Sequence, residues 1–213
     1  MSTTVRPTTS VTATARNVPL QIAALIAAGL AFAIYPILRG SAVETGFSAA
    51  ELYARPAWLL AHCLGMAGFI ASSWALLSVD RLAGRLAFGG TLLVLPYYGA
   101  EAFGLNAIGR LAIETNDPSG VAAADMFRFQ PVAMTAFAAG LLLLAAAGVR
   151  LLFLLRHRPA LLRVGLAVTG LGLLTYLPQF FVPIEGRIIH GIVLGIGLVL
   201  LAGATANRQS PVH

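Results

Sequence analysis

The heptapeptide Leu95-Pro96-Tyr97-Tyr98-Gly99-Ala100-Glu101 stands inside an apolar run, residues 82–109, and its reading decides the fold. A membrane span needs about 20 predominantly apolar residues to cross a hydrocarbon core about 30 Å thick, and this run supplies them. A carboxylate at the centre of such a helix costs roughly 2.5–3.5 kcal/mol on insertion scales, so Glu101 requires a partner or a purpose. Pro96 removes a backbone donor and crowds the preceding turn, which predicts a kink just before the acid.

The rest of the chain is of the same kind. Its 213 residues are 58% hydrophobic and 10% charged, with a mean hydropathy of +0.85, whereas a soluble domain carries about 25% charged residues. Apolar runs at 18–38, 57–78, 82–109, 132–155, 160–182 and 188–205 predict an all-α, polytopic integral membrane protein with six transmembrane helices. The first run exceeds the apolar core of a signal peptide, about 7–15 residues. Residues 1–17, rich in Ser and Thr without apolar periodicity, read as a disordered tail, and residues 206–213 as a second tail.

Arginine sets the expected orientation. All 14 basic residues are Arg. Arg6, Arg16, Arg81, Arg85, Arg150, Arg156, Arg158, Arg163 and Arg208 fall on one side of a six-span topology, and Arg39, Arg55, Arg110, Arg128 and Arg187 on the other. Nine against five places both termini in the cytoplasm by the positive-inside rule. The Arg-only basic set, with abundant Ala, Gly and Leu, goes with a GC-rich bacterial genome, so the inner (plasma) membrane is the expected location. A net charge of +6 does not argue for nucleic acid, because the arginines are scattered between apolar segments. The lone Cys63 excludes an intrachain disulfide and any Cys-based zinc site.

Two outer loops carry local signals. Ser48-Ala49-Ala50-Glu51 matches a capping box opening a helix at 49–54, ended by Pro56. Asn116-Asp117-Pro118-Ser119-Gly120 is a turn cluster, and 121–129 reads as a short interfacial helix with Phe127, Arg128 and Phe129 as anchors.

Depth organises the candidate site. Under this topology His62, Glu101 and His190 all lie one or two turns below the outer surface, with Tyr98, Asn106 and Gln179 at similar depth. Ionisable groups in lipid face the bundle interior, so His62, Glu101 and His190 are expected to form one outward-facing intramembrane polar site. Three uses follow. His62 and His190 can be axial ligands of a b-type haem, with Tyr98, Asn106 and Gln179 as supporting contacts and Arg55, Arg128 or Arg187 near the propionates. Alternatively, His62, His190 and Glu101 can hold a divalent metal as a two-His, one-carboxylate set, with Glu101 as the catalytic group. Either gives a redox or membrane-enzyme role. In the third use the same cluster is the floor of a small-molecule pocket without cofactor, serving transport or substrate binding for an apolar or amphipathic ligand. Against these stands an accessory role, in which the polar groups only fix helix packing. Small-residue faces at Gly191/Gly195 and Ala24/Ala28 are expected to dock another subunit or a second copy.

Overall fold

The computed structural model describes residues 18–207. The tail expected at 1–17 and residues 208–213 of the tail expected at 206–213, with Arg6, Arg16 and Arg208, lie outside the described residues; residues 206 and 207 end the last helix. Those described are helical, with no strand among them. The helices are α1 (Val18–Arg39), α2 (Gly46–Ala54), α3 (Pro56–Val79), α4 (Arg81–Gly99), α5 (Leu105–Thr115), α6 (Ala123–Arg128), α7 (Pro131–Phe153), α8 (Ala160–Leu174) and α9 (Ile184–Asn207). Four of them, α1, α3, α7 and α9, are long and apolar enough to cross a membrane. A π-helical turn, Ala100–Gly104, joins α4 to α5.

Six of the nine close a ring in which each packs on two others, in the order α1, α3, α4, α7, α8, α9 and back to α1. The outside of the ring is apolar like its core, which is built around Leu25, Phe69 and Leu144 with a few polar groups among them. Leu30, Leu60, Ile70, Leu92, Leu142, Leu171 and Ile196 are half exposed or more, while Gln21, Ser72, Ser73, Thr91 and Thr169 are buried. An apolar belt this broad marks a lipid-facing surface. Three of the buried polar groups, Gln21, Ser73 and Thr91, tie helices together. Ser73 Oγ and Thr91 Oγ1 lie 2.6 Å apart between α3 and α4, and Gln21 Nε2 donates to the Ala75 carbonyl at 3.4 Å between α1 and α3.

Close helix approach depends on glycine. With no hydrophobic drive between helices in lipid, packing favours small residues that let backbones meet. A Cβ on Gly195 of α9 would stand 2.6 Å from the Gly29 carbonyl oxygen of α1, and one on Gly29 would stand 2.8 Å from the Gly195 carbonyl oxygen. This corrects the docking expectation. Gly195 and Gly191, the latter against the Phe32 carbonyl and Pro36, are covered by α1 of the same chain. Ala28 is fully buried and Ala24 packs on the core. Replacing Gly195 by Leu is expected to force α1 and α9 apart and cost about 1–3 kcal/mol, read as a lower thermal midpoint in detergent.

Two predicted segments differ in shape. The run 160–182 is helical only to Leu174, because Pro178 has no N–H to give and its ring crowds the carbonyl four residues back, which is that of Leu174. Tyr176 and Gln179 therefore sit in a turn and the 3₁₀ segment Pro178–Phe181. The run 82–109 does not end where a span would. After the π-turn it continues as α5 and leaves the ring to pack on α2, building a second small core around Tyr53, Trp58, Leu105 and Ala112. In the α2 loop, the helix begins at Gly46 with Thr45 before it, so Ser48 is not its cap.

The two ends of the ring are built differently. At one end a single residue, Asp80, joins α3 to α4. It caps α4 by accepting from the Ala83 N–H at 2.9 Å, and receives Arg150 of α7 in a two-point pair at 3.1 and 2.8 Å. The other end carries α2, α5, α6 and the Gln179 segment, and holds Glu101.

Candidate functional site

Glu101 lies in the π-turn. Such a turn inserts an extra residue and re-aims the side chains around it, and π-turns recur at functional sites. The departure expected at Pro96 thus falls one turn later, with Pro96 itself inside α4. Trp58 of α3 donates its indole N–H to the Glu101 carbonyl at 2.8 Å, fixing the turn against α3. The Glu101 side chain is buried.

Its partner is Arg128, the last residue of α6. The guanidinium meets both carboxylate oxygens, Nε to Oε1 at 2.6 Å and Nη2 to Oε2 at 2.9 Å. This fork is the strong, directional form of an ion pair. Arg128 Nη1 donates further to Glu44 Oε2 at 2.8 Å and to the Tyr53 hydroxyl at 3.2 Å. Glu44 in turn accepts from Arg39 at 2.8 Å and from Tyr53 at 2.9 Å. Arg39 Cζ sits 4.8 Å above the Trp58 ring centroid. One network thus joins the end of α1, the loop after it, α2, the π-turn and α6.

Charge and burial act against each other here. Burial pushes the Glu44 carboxyl up, but the facing Arg39 and Arg128 outweigh it and hold it down at about 2. Burial likewise works against the Arg128 charge, yet Glu101 and Glu44 raise its guanidinium above the ordinary value, so it stays cationic. Burial lifts the Tyr53 phenol well above its usual range, so Tyr53 remains a hydroxyl that donates to Glu44.

His62 stands beside this network. Its Nδ1 is 2.8 Å from the Trp58 carbonyl, which can only accept, so Nδ1 carries the proton. In the neutral ring Nε2 is left as a lone pair, 3.9 Å from Glu101 Oε2. The imidazole is held by aromatic contacts to Trp58, Tyr35 and Tyr98. Tyr98 meets Tyr176 hydroxyl to hydroxyl at 3.3 Å.

These groups surround a cavity of about 460 Å³. His62, Tyr98 and Glu101 line it with Arg39, Glu44, Arg128 and Arg187, and its apolar wall is aromatic, with Tyr97, Phe137 and Phe180. The structure brings together only part of the expected set. His190 Nε2 pairs with the Gly172 carbonyl at 2.9 Å and its ring lies against Tyr176. With Gln179 it lines a separate crevice of about 10 Å³, too small for a ligand. Asn106 faces away and donates to the Tyr53 carbonyl at 2.7 Å, holding α5 on α2. The sharing of one space by His62, Glu101 and His190 is therefore corrected. Among the described residues no group of three or more His, Cys, Asp or Glu side chains is placed to hold a metal ion.

The residues that complete the site are Arg128, Glu44, Arg39, Tyr53 and Arg187. In the sequence Arg128 and Arg187 read as interface anchors or partners of haem propionates, and nothing local marks Glu44, Arg39 or Tyr53. The available signal was the demand of Glu101 for a cation, which a loop arginine flanked by Phe127 and Phe129 can meet. No known protein family, curated protein or solved structure matches the chain.

Proposed function

We propose that this is a six-span membrane protein with both termini cytoplasmic, which binds a small molecule in the Glu101 cavity on the outer side without a resident cofactor, for transport or for delivery to a membrane partner. The observation that carries it is the cavity of about 460 Å³ with charged and aromatic walls at one end of an otherwise tightly packed ring. Ligand pockets have this make-up, mostly apolar with a few converging polar groups. α4 and the 15-residue α8 would be the two further spans; each packs in the ring between two longer neighbours.

The haem and metal uses lose support on donor geometry. The two histidines line different spaces, and both Glu101 oxygens already receive Arg128. A metal would find only His62 Nε2 without displacing that arginine. Purified protein is expected to show no Soret band and less than stoichiometric zinc or iron; stoichiometric metal lost in His62→Ala would restore the metal use.

The binding reading is tested with matched small carboxylates, amines and neutral alcohols added to the detergent-purified chain. At least one class is expected to raise the thermal midpoint and change the tryptophan fluorescence in a Trp74→Phe background, and Glu101→Leu to change which class does so. Silence of all three classes on the wild-type chain sinks it.

A further inference from the structure

The cavity has a neighbour. A groove of about 540 Å³ runs along the outside of the ring between α4, α6 and α7, lined by Leu93, Pro96, Ala100, Met126, Phe127 and Ala133. It carries no charged side chain, and Met126 at its rim is 78% exposed. Tyr97 lines both spaces. Its ring stacks on Phe137 at 4.2 Å with 20° between planes, so one aromatic pair forms the partition between a charged chamber and an apolar groove.

The chamber is not electrically balanced. Arg39, Arg128 and Arg187 face it against Glu44 and Glu101. Arg39 and Arg128 are each paired with a carboxylate. Arg187 is not. It donates to the Val182 carbonyl at 3.1 Å and the Phe180 carbonyl at 2.8 Å, and no carboxylate among the described residues lies within ion-pair distance of it. Three guanidiniums against two carboxylates leave room for one negative charge. Arg187 is half-buried in the wall of the chamber, so a ligand that brings the missing anion gains a charge-assisted pair there.

Resting on the reading of the chamber as a binding site, we propose that the ligand is a single-chain amphiphile with one carboxylate, of fatty-acid type. It enters sideways from the bilayer past the Tyr97–Phe137 stack, its head meeting Arg187 in the chamber and its chain lying in the groove. One surplus positive charge selects a monoanion. The single uncharged groove, opening on the lipid side of the ring, selects one apolar chain. On the scale of free aqueous probe, each methylene moved from water into the groove tightens binding up to about fourfold, until the groove is filled.

The test uses the full chain with Trp74→Phe in phosphatidylcholine nanodiscs, with octanoate, oleate and oleyl alcohol as probes and Trp58 fluorescence and the thermal midpoint as readouts. Oleate is expected to bind at least tenfold more tightly than octanoate, and oleyl alcohol at least tenfold more weakly than oleate. Arg187→Gln should remove the preference for oleate over the alcohol, while Arg187→Lys keeps it. That second variant guards against a fold defect from the lost contacts to the Val182 and Phe180 carbonyls. Ala133→Trp, which fills the groove, should abolish the gain with chain length and leave octanoate binding intact. If octanoate binds but Ala133→Trp leaves the chain-length dependence unchanged, that dependence reports partition into the bilayer, and the amphiphile proposal falls while the chamber stands. Failure of every small probe, octanoate included, overturns both. Equal competition by a two-chain phosphatidic acid overturns the single-chain assignment.

Discussion

Arg128→Met is expected to destabilise the protein by about 3 kcal/mol, the low end of the cost of removing one partner of a buried ion pair. The reason is geometric. Arg128 is the common donor to Glu101 and Glu44, so its loss leaves one buried and one half-buried carboxylate with a reduced share of positive charge. Arg39 still serves Glu44, but nothing else forks onto Glu101. Glu101→Leu should cost less, because Arg128 then keeps Glu44 and the Tyr53 hydroxyl. That variant is expected to insert and fold but to bind ligand with altered selectivity. The double variant Arg128→Met/Glu101→Leu should recover part of the loss, giving a coupling of about 1–3 kcal/mol. The measurement is unfolding of purified protein in mixed micelles at rising SDS fraction, with all three variants compared. Additive costs would show that the fork seen between the two side chains does not hold the fold together.

How far this was legible in the sequence depends on the range of the forces involved. The four helices long and apolar enough to span a membrane follow from composition over about 20 residues, which is local information. Glu101 was legible as an anomaly because a carboxylate in an apolar run is costly wherever it points. The stop at Leu174 could have been taken from Pro178, four residues on, but the apolar character of 175–182 masked it. The pairing of Glu101 with Arg128 was not legible. It spans 27 positions and depends on how a π-turn and a short loop helix meet. Depth proved a poor guide to contact. His62 and His190 share a depth in the six-span topology, yet Tyr98 and Tyr176 meet between their contacts and leave them facing different spaces. Helix register alone does not fix which face of α9 looks at α8; that is settled by Gly197 packing against Thr169 and by the His190 bond to the Gly172 carbonyl.

Lowering the pH is expected to loosen the Glu101 end before the apolar ring gives way. Glu44 is the group that responds first, because it lies in the loop after α1, in reach of protons from solution. Burial alone would raise its carboxyl, but Arg39 and Arg128 hold it from 4.5 down to about 2. A carboxyl whose value is depressed in the folded state binds protons more readily when unfolded, so protonation favours unfolding. The stabilisation is therefore complete above pH 4.5 and is lost as the pH falls through that value toward about 2. Asp80 acts in the same direction at the opposite end, where the hydrogen bonds from Arg150 lower its carboxyl. A thermal-midpoint series from pH 7 to pH 3 should fall below about pH 4.5 in the wild-type chain. In Glu44→Gln the midpoint should be lower at pH 7, and its decline on acidification shallower, because the variant has no carboxyl at that position to protonate. Asp80→Asn should flatten the curve by a smaller amount, since its pair with Arg150 is more open to solvent and contributes little beyond the cap on α4. A midpoint that holds or rises between pH 5 and pH 3 in the wild-type chain would mean that the Arg39–Glu44–Arg128 cluster does not hold the Glu101 end closed.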